Sequence, residues 1–365
     1  MIMTKHKFSY NWNLSDGYLS KNIEYHGGKV FSCFACGGGS TMGYKLAGYD
    51  VLGMNEIDPK MADCYIENHS PKYAFIEPIQ EFKKRLDLPK ELFNLDILDG
   101  SPPCSSFSLA GNREKDWGKK KKFREGQVKQ VLDTLFFDFL DLAKRLKPKI
   151  IIAENVTGIL QGKAKQYAKK IIKRYEEIGY KVKIFTLDAS KMGVPQIRKR
   201  VFFIGIRKDL AKSLPKNPNT LFNDFPLLDL LFFEEKILFN EIADFKGHSI
   251  SAIRAKAWKY RDVKDQSIRD SKRRAGMKVN DFNCAYLHLN KVCTTLLAKG
   301  KTSMIHFEKP IYISNSEMIK VSTFPKDYDF RKSPVGYLCG MSVPPIMIAQ
   351  IAYRIYNQWL RILNS

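Results

Sequence analysis

The chain predicts an α/β fold: a doubly wound, mostly parallel sheet joined to a smaller, irregular, basic domain. Three observations carry that reading. Short apolar runs alternate with segments of helical periodicity between Lys29 and Arg207. A glycine cluster, Gly37-Gly38-Gly39, separates the first run from the first helical segment. Beyond Arg207 the periodicity stops, and residues 246–278 carry eleven Lys/Arg against three Asp, with Trp258 and Tyr260 interleaved.

Taken in order, residues 30–35 read as a first strand that breaks at the glycines. Residues 42–48 read as a helix stopping at Gly48. Residues 49–54 form a second strand that ends in Asn55-Glu56-Ile57-Asp58. A third apolar run, 92–98, leads into Ser101-Pro102-Pro103-Cys104. Residues 133–147 place Leu135, Phe136, Phe139, Leu140 and Ala143 at helical spacing, and Pro148 stops the helix. Residues 150–153 are continuously apolar, as a strand buried on both faces should be. A helix over 165–179 and strands over 180–187 and 201–206 complete the alternation. Residues 215–226 read as a connector. Pro344-Pro345 opens a last helix whose face carries Ile348, Ile351, Ala352, Ile355 and Trp359.

With 365 residues the chain can bury a full core and form roughly two domains. The charge is the outlier: 61 Lys+Arg against 38 Asp+Glu give +23. Such an excess points to a polyanion, nucleic acid first and an anionic membrane surface second. An AT-rich source, indicated by abundant Lys, Ile, Phe and Asn, would raise the Lys count as well. Seven cysteines in no framework pattern favour a reducing, cytoplasmic setting. No apolar stretch approaches the ~18 residues that span a bilayer, so no membrane association is expected. The histidines show no metal-ligand spacing, and no metal is expected.

A glycine cluster between strand and helix lets backbone approach a ligand closely. Glu56, closing the next strand, is placed to accept hydrogen bonds from ribose hydroxyls. The pair indicates a nucleoside cofactor. The glycines form neither a dinucleotide fingerprint nor a phosphate-binding P-loop. Pro102 and Pro103 hold Cys104 on a stiff loop at a strand end, where chemistry happens in open α/β sheets. A free cysteine is also a common small core residue, and this segment alone leaves both readings open.

Together the pieces resemble the cytosine-5 DNA methyltransferase family. Phe34-Ala35-Cys36-Gly37-Gly38-Gly39 resembles its cofactor loop, and Asn55-Glu56-Ile57-Asp58 its ribose-binding segment. Pro103-Cys104-Ser105-Ser106-Phe107-Ser108 resembles the nucleophile motif. Glu154-Asn155-Val156, Gln196-Ile197-Arg198-Lys199-Arg200 and Gly340-Met341-Ser342-Val343-Pro344-Pro345 are similar to three further blocks. The resemblance implies a Rossmann-like class I S-adenosylmethionine-dependent methyltransferase sheet with a smaller, irregular target-recognition domain. It implies S-adenosylmethionine as cofactor, S-adenosylhomocysteine as its product, and no metal. The expected division is an N-terminal extension over 1–26 and a catalytic and cofactor-binding domain over 27–207. A target-recognition domain over 208–310 would follow, and a segment over 311–365 would return to the catalytic domain.

By this resemblance Cys104 adds as a thiolate to carbon 6 of cytosine, making carbon 5 nucleophilic. Glu154 would bond ring nitrogen 3 as an acid holding its proton in a dry pocket. Arg198 and Arg200 would hold the base oxygen and orient Cys104 and Glu154. The target base must first be flipped out of the duplex. Phe34, Cys36, Gly37, Gly38, Glu56, Ile57, Pro103, Leu135 and Ser342 would bind the cofactor. Lys119, Lys120, Lys121 and Lys122 fit a loop that closes over DNA. Gln196 and Thr295 join the DNA-binding set, with Arg254, Lys256, Arg269, Arg273 and Arg274 chosen by charge alone.

Three positions depart from the family pattern: Cys36 for the first loop glycine, Pro78 for an aspartate, Met341 for an asparagine. The expected partner is double-stranded DNA, with a cognate restriction endonuclease as a candidate and a monomeric state. Rival readings are an RNA substrate, a catalytically silent DNA-binding protein, and an amino-methylating enzyme suggested by Ser101-Pro102-Pro103.

Overall fold

The computed structural model describes residues 6–19, 22–103, 134–162, 164–216, 225–279, 281, 284–298 and 300–364, with the short strands Lys120–Lys121 and Gln130–Val131. The chain forms two compact units. One comprises Tyr18–Asp188, Lys199–Leu231 and Ile348–Ser365; the other comprises Met1–Gly17, Ala189–Arg198 and Phe232–Met347.

The first unit is built on a seven-stranded sheet. Its strands are β1 (Lys29–Cys33), β2 (Asp50–Asn55), β3 (Tyr73–Phe75), β4 (Ile97–Gly100), β5 (Ile150–Val156), β6 (Tyr180–Asp188) and β7 (Lys199–Arg207), in the order β3-β2-β1-β4-β5-β7-β6. The first five strands in that order run parallel, and β7 pairs antiparallel with both β5 and β6. The strand order reverses between β1 and β4, which is where open α/β sheets bind ligands.

Helices α1 (Gly39–Leu46), α2 (Pro59–His69), α3 (Leu135–Leu146) and α4 (Ala164–Glu177) belong to this unit. Helix α1 starts earlier than its periodicity suggests, because Gly38 takes a left-handed conformation (φ 82°) and launches it straight from the glycine loop. The Asp58 side chain caps α2 by accepting from Lys60 N–H at 2.9 Å, and Pro59 takes the first turn. Apolar side chains of β1, β4, β5 and β7 (Phe31, Leu98, Ile151, Phe203) close a core with Phe136 and Phe139 of α3 and Tyr175 of α4.

Unit boundaries differ from the sequence division in three places. Residues 208–231 lie in the sheet unit, where the Trp359 Nε1–H donates to Leu227 O at 2.8 Å and Arg354 meets Asp229 at 3.2 Å. Ala189–Arg198 belongs to the second unit, stitched by Ile197 N–H to Cys293 O at 2.8 Å. Residues 311–347 also belong there, through Ile313 N–H to Met304 O at 3.2 Å. The last helix (Pro345–Ile355) continues through Leu363, and the five predicted face residues from Ile348 to Trp359 are buried.

The run Val335–Leu363 is long and apolar enough to cross a bilayer by length and composition, contrary to the sequence reading. However, 78% of its most apolar stretch is buried inside the protein, as in a core helix.

Candidate active site

The parallel strands end in register. Asn55, Cys33, Gly100 and Ala153 lie side by side across β2, β1, β4 and β5. The residues that follow them therefore emerge along one carboxyl edge: Glu56, Phe34–Gly38, Ser101–Pro103 and Glu154. Sheet register alone brings together four segments far apart in sequence.

At the glycine loop, Phe34 (φ 55°) and Cys36 (φ 49°) adopt left-handed conformations that side chains rarely take. Cys36 N–H donates to Glu56 Oε2 and Asp58 N–H to Glu56 Oε1, both at 2.8 Å. Burial pushes the Glu56 carboxyl up, and these backbone donors pull it back. Two carboxylate oxygens offer about four acceptor positions, so Glu56 can hold the loop and still receive ribose hydroxyls. At Gly38 a Cβ would stand 2.1 Å from His69 Nε2, so the loop needs glycine there for space as well as for φ. Ile57 is half-buried, and Leu135 is a buried core residue at the start of α3. Pro78 caps a short helix, Ile79–Phe82.

His69 supports this loop from α2. Its Nε2 lies 3.2 Å from Gly37 O and its Nδ1 3.2 Å from the Tyr18 hydroxyl. Burial, with the nearby Lys45 charge, pushes the imidazole down to about 3. It is therefore neutral, with Nε2–H donating to the carbonyl and Nδ1 accepting from Tyr18. Nothing in the sequence spacing marked Tyr18 or His69.

On the other side, Glu154 Oε1 meets Arg200 Nε at 2.8 Å, and both side chains are largely buried. Antiparallel pairing puts Arg200 opposite Val156 and so beside Glu154. The next residue, Asn155, donates from Nδ2 to Pro102 O at 3.1 Å and is buried. This bond ties the strand bearing Glu154 to the turn that precedes Cys104. Pro103 is half-buried. Cys104, Lys119 and Lys122 lie outside the described residues. Lys120 and Lys121 form a short strand paired with Gln130–Val131.

Arg198 belongs to the second unit. It is buried and donates to Leu296 O (3.2 Å), Gly340 O (3.1 Å) and Ser342 O (2.9 Å). Gln196 sits with it, donating to Val321 O at 3.2 Å and accepting from Leu296 N–H at 3.1 Å. The Thr295 hydroxyl donates to Ile197 O at 2.6 Å. Thus the side chains of Gln196, Arg198 and Thr295 bond backbone around Leu296 and Ser342.

Among the charge-selected residues, Arg254 meets Asp281 at 2.6 Å and the Tyr312 hydroxyl at 2.8 Å. Arg274 is bound by Asp265 at 2.7 and 2.9 Å, and Arg273 meets Asp270 at 3.0 Å. Lys256 is exposed, and Arg269 is half-buried. Among the described residues no group of three or more His, Cys, Asp or Glu side chains is placed to hold a metal ion.

A sheet of this order, with a glycine loop, an acid closing β2 and reactive segments on one edge, defines a class I methyltransferase fold. Residues 28–357 match the family model described as C-5 cytosine-specific DNA methylase. The chain belongs to that family, and it is a DNA cytosine-5 methyltransferase. It is 28% identical to the Type II methyltransferase M.FnuDI of Fusobacterium nucleatum, over 90% of this chain and 94% of that protein. It is also 28% identical to the Type II methyltransferase M.DdeI of Desulfomicrobium norvegicum, over 92% and 91%. Among solved structures, a DNA modification methyltransferase encoded within an E. coli prophage superposes with a TM-score of 0.62. The identity is 21%, covering 93% of this chain and all of that one. The Spodoptera frugiperda DNMT2 variant gives a TM-score of 0.59 at 17% identity, covering 93% and 100%.

Proposed function

We propose that this chain methylates carbon 5 of a cytosine flipped out of double-stranded DNA, with Cys104 as nucleophile and S-adenosylmethionine as donor. The observation that carries the reading is the Glu154–Arg200 pair, held beside the Cys104 turn through Asn155 and Pro102. Thiolate addition at carbon 6 needs an acid at ring nitrogen 3, and Glu154 is the carboxyl on that edge whose strand is tied to the Cys104 turn. Arg200 orients it and offers donors to the base oxygen. Carbon 5 is then the enamine carbon that takes the methyl group; it gives its proton to water as the ring expels the thiolate.

The glycine loop fits a nucleoside donor: Gly38 leaves room that a Cβ would fill, and Glu56 keeps acceptor positions for a ribose. S-adenosylmethionine supplies an electrophilic sulfonium methyl group. Phe34, Cys36, Gly37, Gly38, Glu56, Ile57, Pro103, Leu135 and Ser342 are the residues proposed to hold it. Arg198 we assign to holding the backbone around Leu296 and Ser342, with Gln196 and Thr295. DNA phosphates would meet Lys119–Lys122, Lys256 and the exposed Arg273 and Arg274; Arg254 contributes through the ion pair that shapes its unit. The Type II relatives support a cognate restriction endonuclease as partner; a cytoplasmic location and a monomeric state are proposed with it.

The test is to incubate plasmid DNA with purified protein and S-adenosylmethionine, then sequence after bisulfite conversion. Protected cytosines in one recurring sequence are expected. Complete conversion in DNA, with methylation of tRNA in a parallel reaction, would overturn the DNA reading.

A further inference from the structure

Phe34 and Cys36 hold left-handed backbone in the glycine loop without being glycine, and Cys36 stands where the family pattern has its first loop glycine. Such a conformation persists only where surrounding bonds over-determine it. On the β2 side, Ala35 N–H donates to Asn55 O at 3.3 Å and Cys36 N–H to Glu56 Oε2 at 2.8 Å. The peptide plane that follows joins two glycines and would turn easily if left unheld. It is held at both ends: Gly38 N–H donates to Ala35 O at 2.9 Å, and Gly37 O accepts from His69 Nε2–H at 3.2 Å.

His69 is the last residue of α2 and is buried. Its ring meets the Tyr65 ring edge-on, with centroids 4.7 Å apart, and the Tyr65 hydroxyl lies 2.7 Å from Thr41 Oγ1 of α1. Lys45 of α1 donates from Nζ to His69 O at 3.2 Å, and its ammonium stands 5.2 Å from the centroid of the half-buried Tyr18 ring. The Tyr18 hydroxyl completes the set, 3.2 Å from His69 Nδ1. A carbonyl oxygen only accepts, so the proton is on Nε2 and Nδ1 accepts from Tyr18. A donor at Nδ1 and an acceptor at Nε2 demand the same neutral tautomer, so the two bonds strengthen each other. Burial and the Lys45 charge keep the ring neutral. Tyr18 itself comes from the segment that the sequence reads as an N-terminal extension, and it opens the sheet unit's share of the chain.

We propose that Tyr18 is a positioning residue for the methyl donor: its hydroxyl fixes the His69 tautomer and orientation that pin the Gly37 carbonyl, so the N-terminal segment sets donor affinity. Tyr18 acts through His69 and not by contact with the donor. Without that bond the Gly37–Gly38 peptide turns more freely, and the loop spends less time in the form that receives S-adenosylmethionine. Affinity then falls by the fraction of loops left competent. Tyr18 has this role only if the loop holds S-adenosylmethionine, as proposed above.

The experiment is calorimetric titration of the full chain with S-adenosylmethionine, for wild type, Tyr18→Phe, His69→Gln and the double variant. Tyr18→Phe keeps the ring against Lys45 and removes only the hydroxyl. His69→Gln keeps an N–H donor for Gly37 O and has no acceptor in place of Nδ1. Tyr18→Phe should weaken binding about three- to tenfold, the effect of one hydrogen bond, and the loss should appear in KM for the donor instead of in kcat. In the His69→Gln background the same change should weaken binding by less than about twofold, because the partner atom is gone. Tyr18→Phe affinity within about twofold of wild type, or losses that multiply in the double variant, would overturn the role of Tyr18 and leave the methyltransferase reading intact. A wild type that binds no S-adenosylmethionine would overturn both.

Discussion

Gly38 has His69 Nε2 at 2.1 Å from where a Cβ would stand, and a φ of 82°. A side chain there costs about 1–2 kcal/mol in backbone strain before the clash is counted. Gly38→Ala should therefore lose about 2 kcal/mol of stability in urea titration and weaken S-adenosylmethionine binding at least tenfold by calorimetry. Unchanged affinity would separate the loop from the cofactor. Phe34 and Cys36 already carry left-handed backbone without glycine, so the loop is held by bonds to Glu56 instead of by permissive residues alone. The strand-end positions of Glu154 and Glu56 were legible in the sequence because each follows an apolar run, while Cys104 lies outside the described residues. Asn155 stood inside a recognised block with no role assigned. Asp99, just past the apolar run 92–98, had no role assigned, and its burial beneath Ser32 and Tyr44 depends on contacts that no local pattern encodes.

Helix α2 brings His69 under the cofactor loop, and this coupling has a pH signature. Its imidazole is held down to about 3 in the folded protein by burial and by Lys45, against about 6.5 when unfolded. Between those values the unfolded chain binds the extra proton, so His69 makes stability fall as pH drops from 6.5 toward 3. Asp99 acts oppositely: raised to about 7, it contributes stability at low pH that is lost as pH rises through 7. The two offset each other over about pH 4–6.5. The difference between wild type and His69→Gln isolates the histidine. The variant's Tm should fall less than the wild type's between pH 7 and pH 5, as read by calorimetry. Parallel curves would contradict the buried neutral imidazole. Element order was readable from alternating periodicity, but α2 and β3 were not. Residues 73–75 make a strand too short to show alternation, and α2 announces itself only through its Asp58-Pro59 start.

The whole chain carries +23 at neutral pH. DNA binding should accordingly weaken steeply with salt, with a log–log slope of about −4 or steeper if five or more phosphates are neutralised. Filter binding between 50 and 200 mM salt measures it, and a flat response would exclude a phosphate-dominated interface. Unit boundaries were the least legible feature, because they depend on long-range bonds. The Ile197–Cys293 and Trp359–Leu227 contacts join segments about 100 residues or more apart, which no local pattern encodes. Likewise, charge alone marked Arg254, and its ion pair with Asp281 inside the unit could not be read from any local pattern. Attack on a ring carbon by Cys104 leaves its signature in the chemistry of the product. DNA treated with wild type or Cys104→Ala and S-adenosylmethionine is digested to nucleosides and analysed by mass spectrometry. Wild type should yield 5-methylcytosine and Cys104→Ala no methylated base, with DNA binding retained. A methyl group on an exocyclic amine, or 5-methylcytosine from Cys104→Ala, would contradict attack by Cys104.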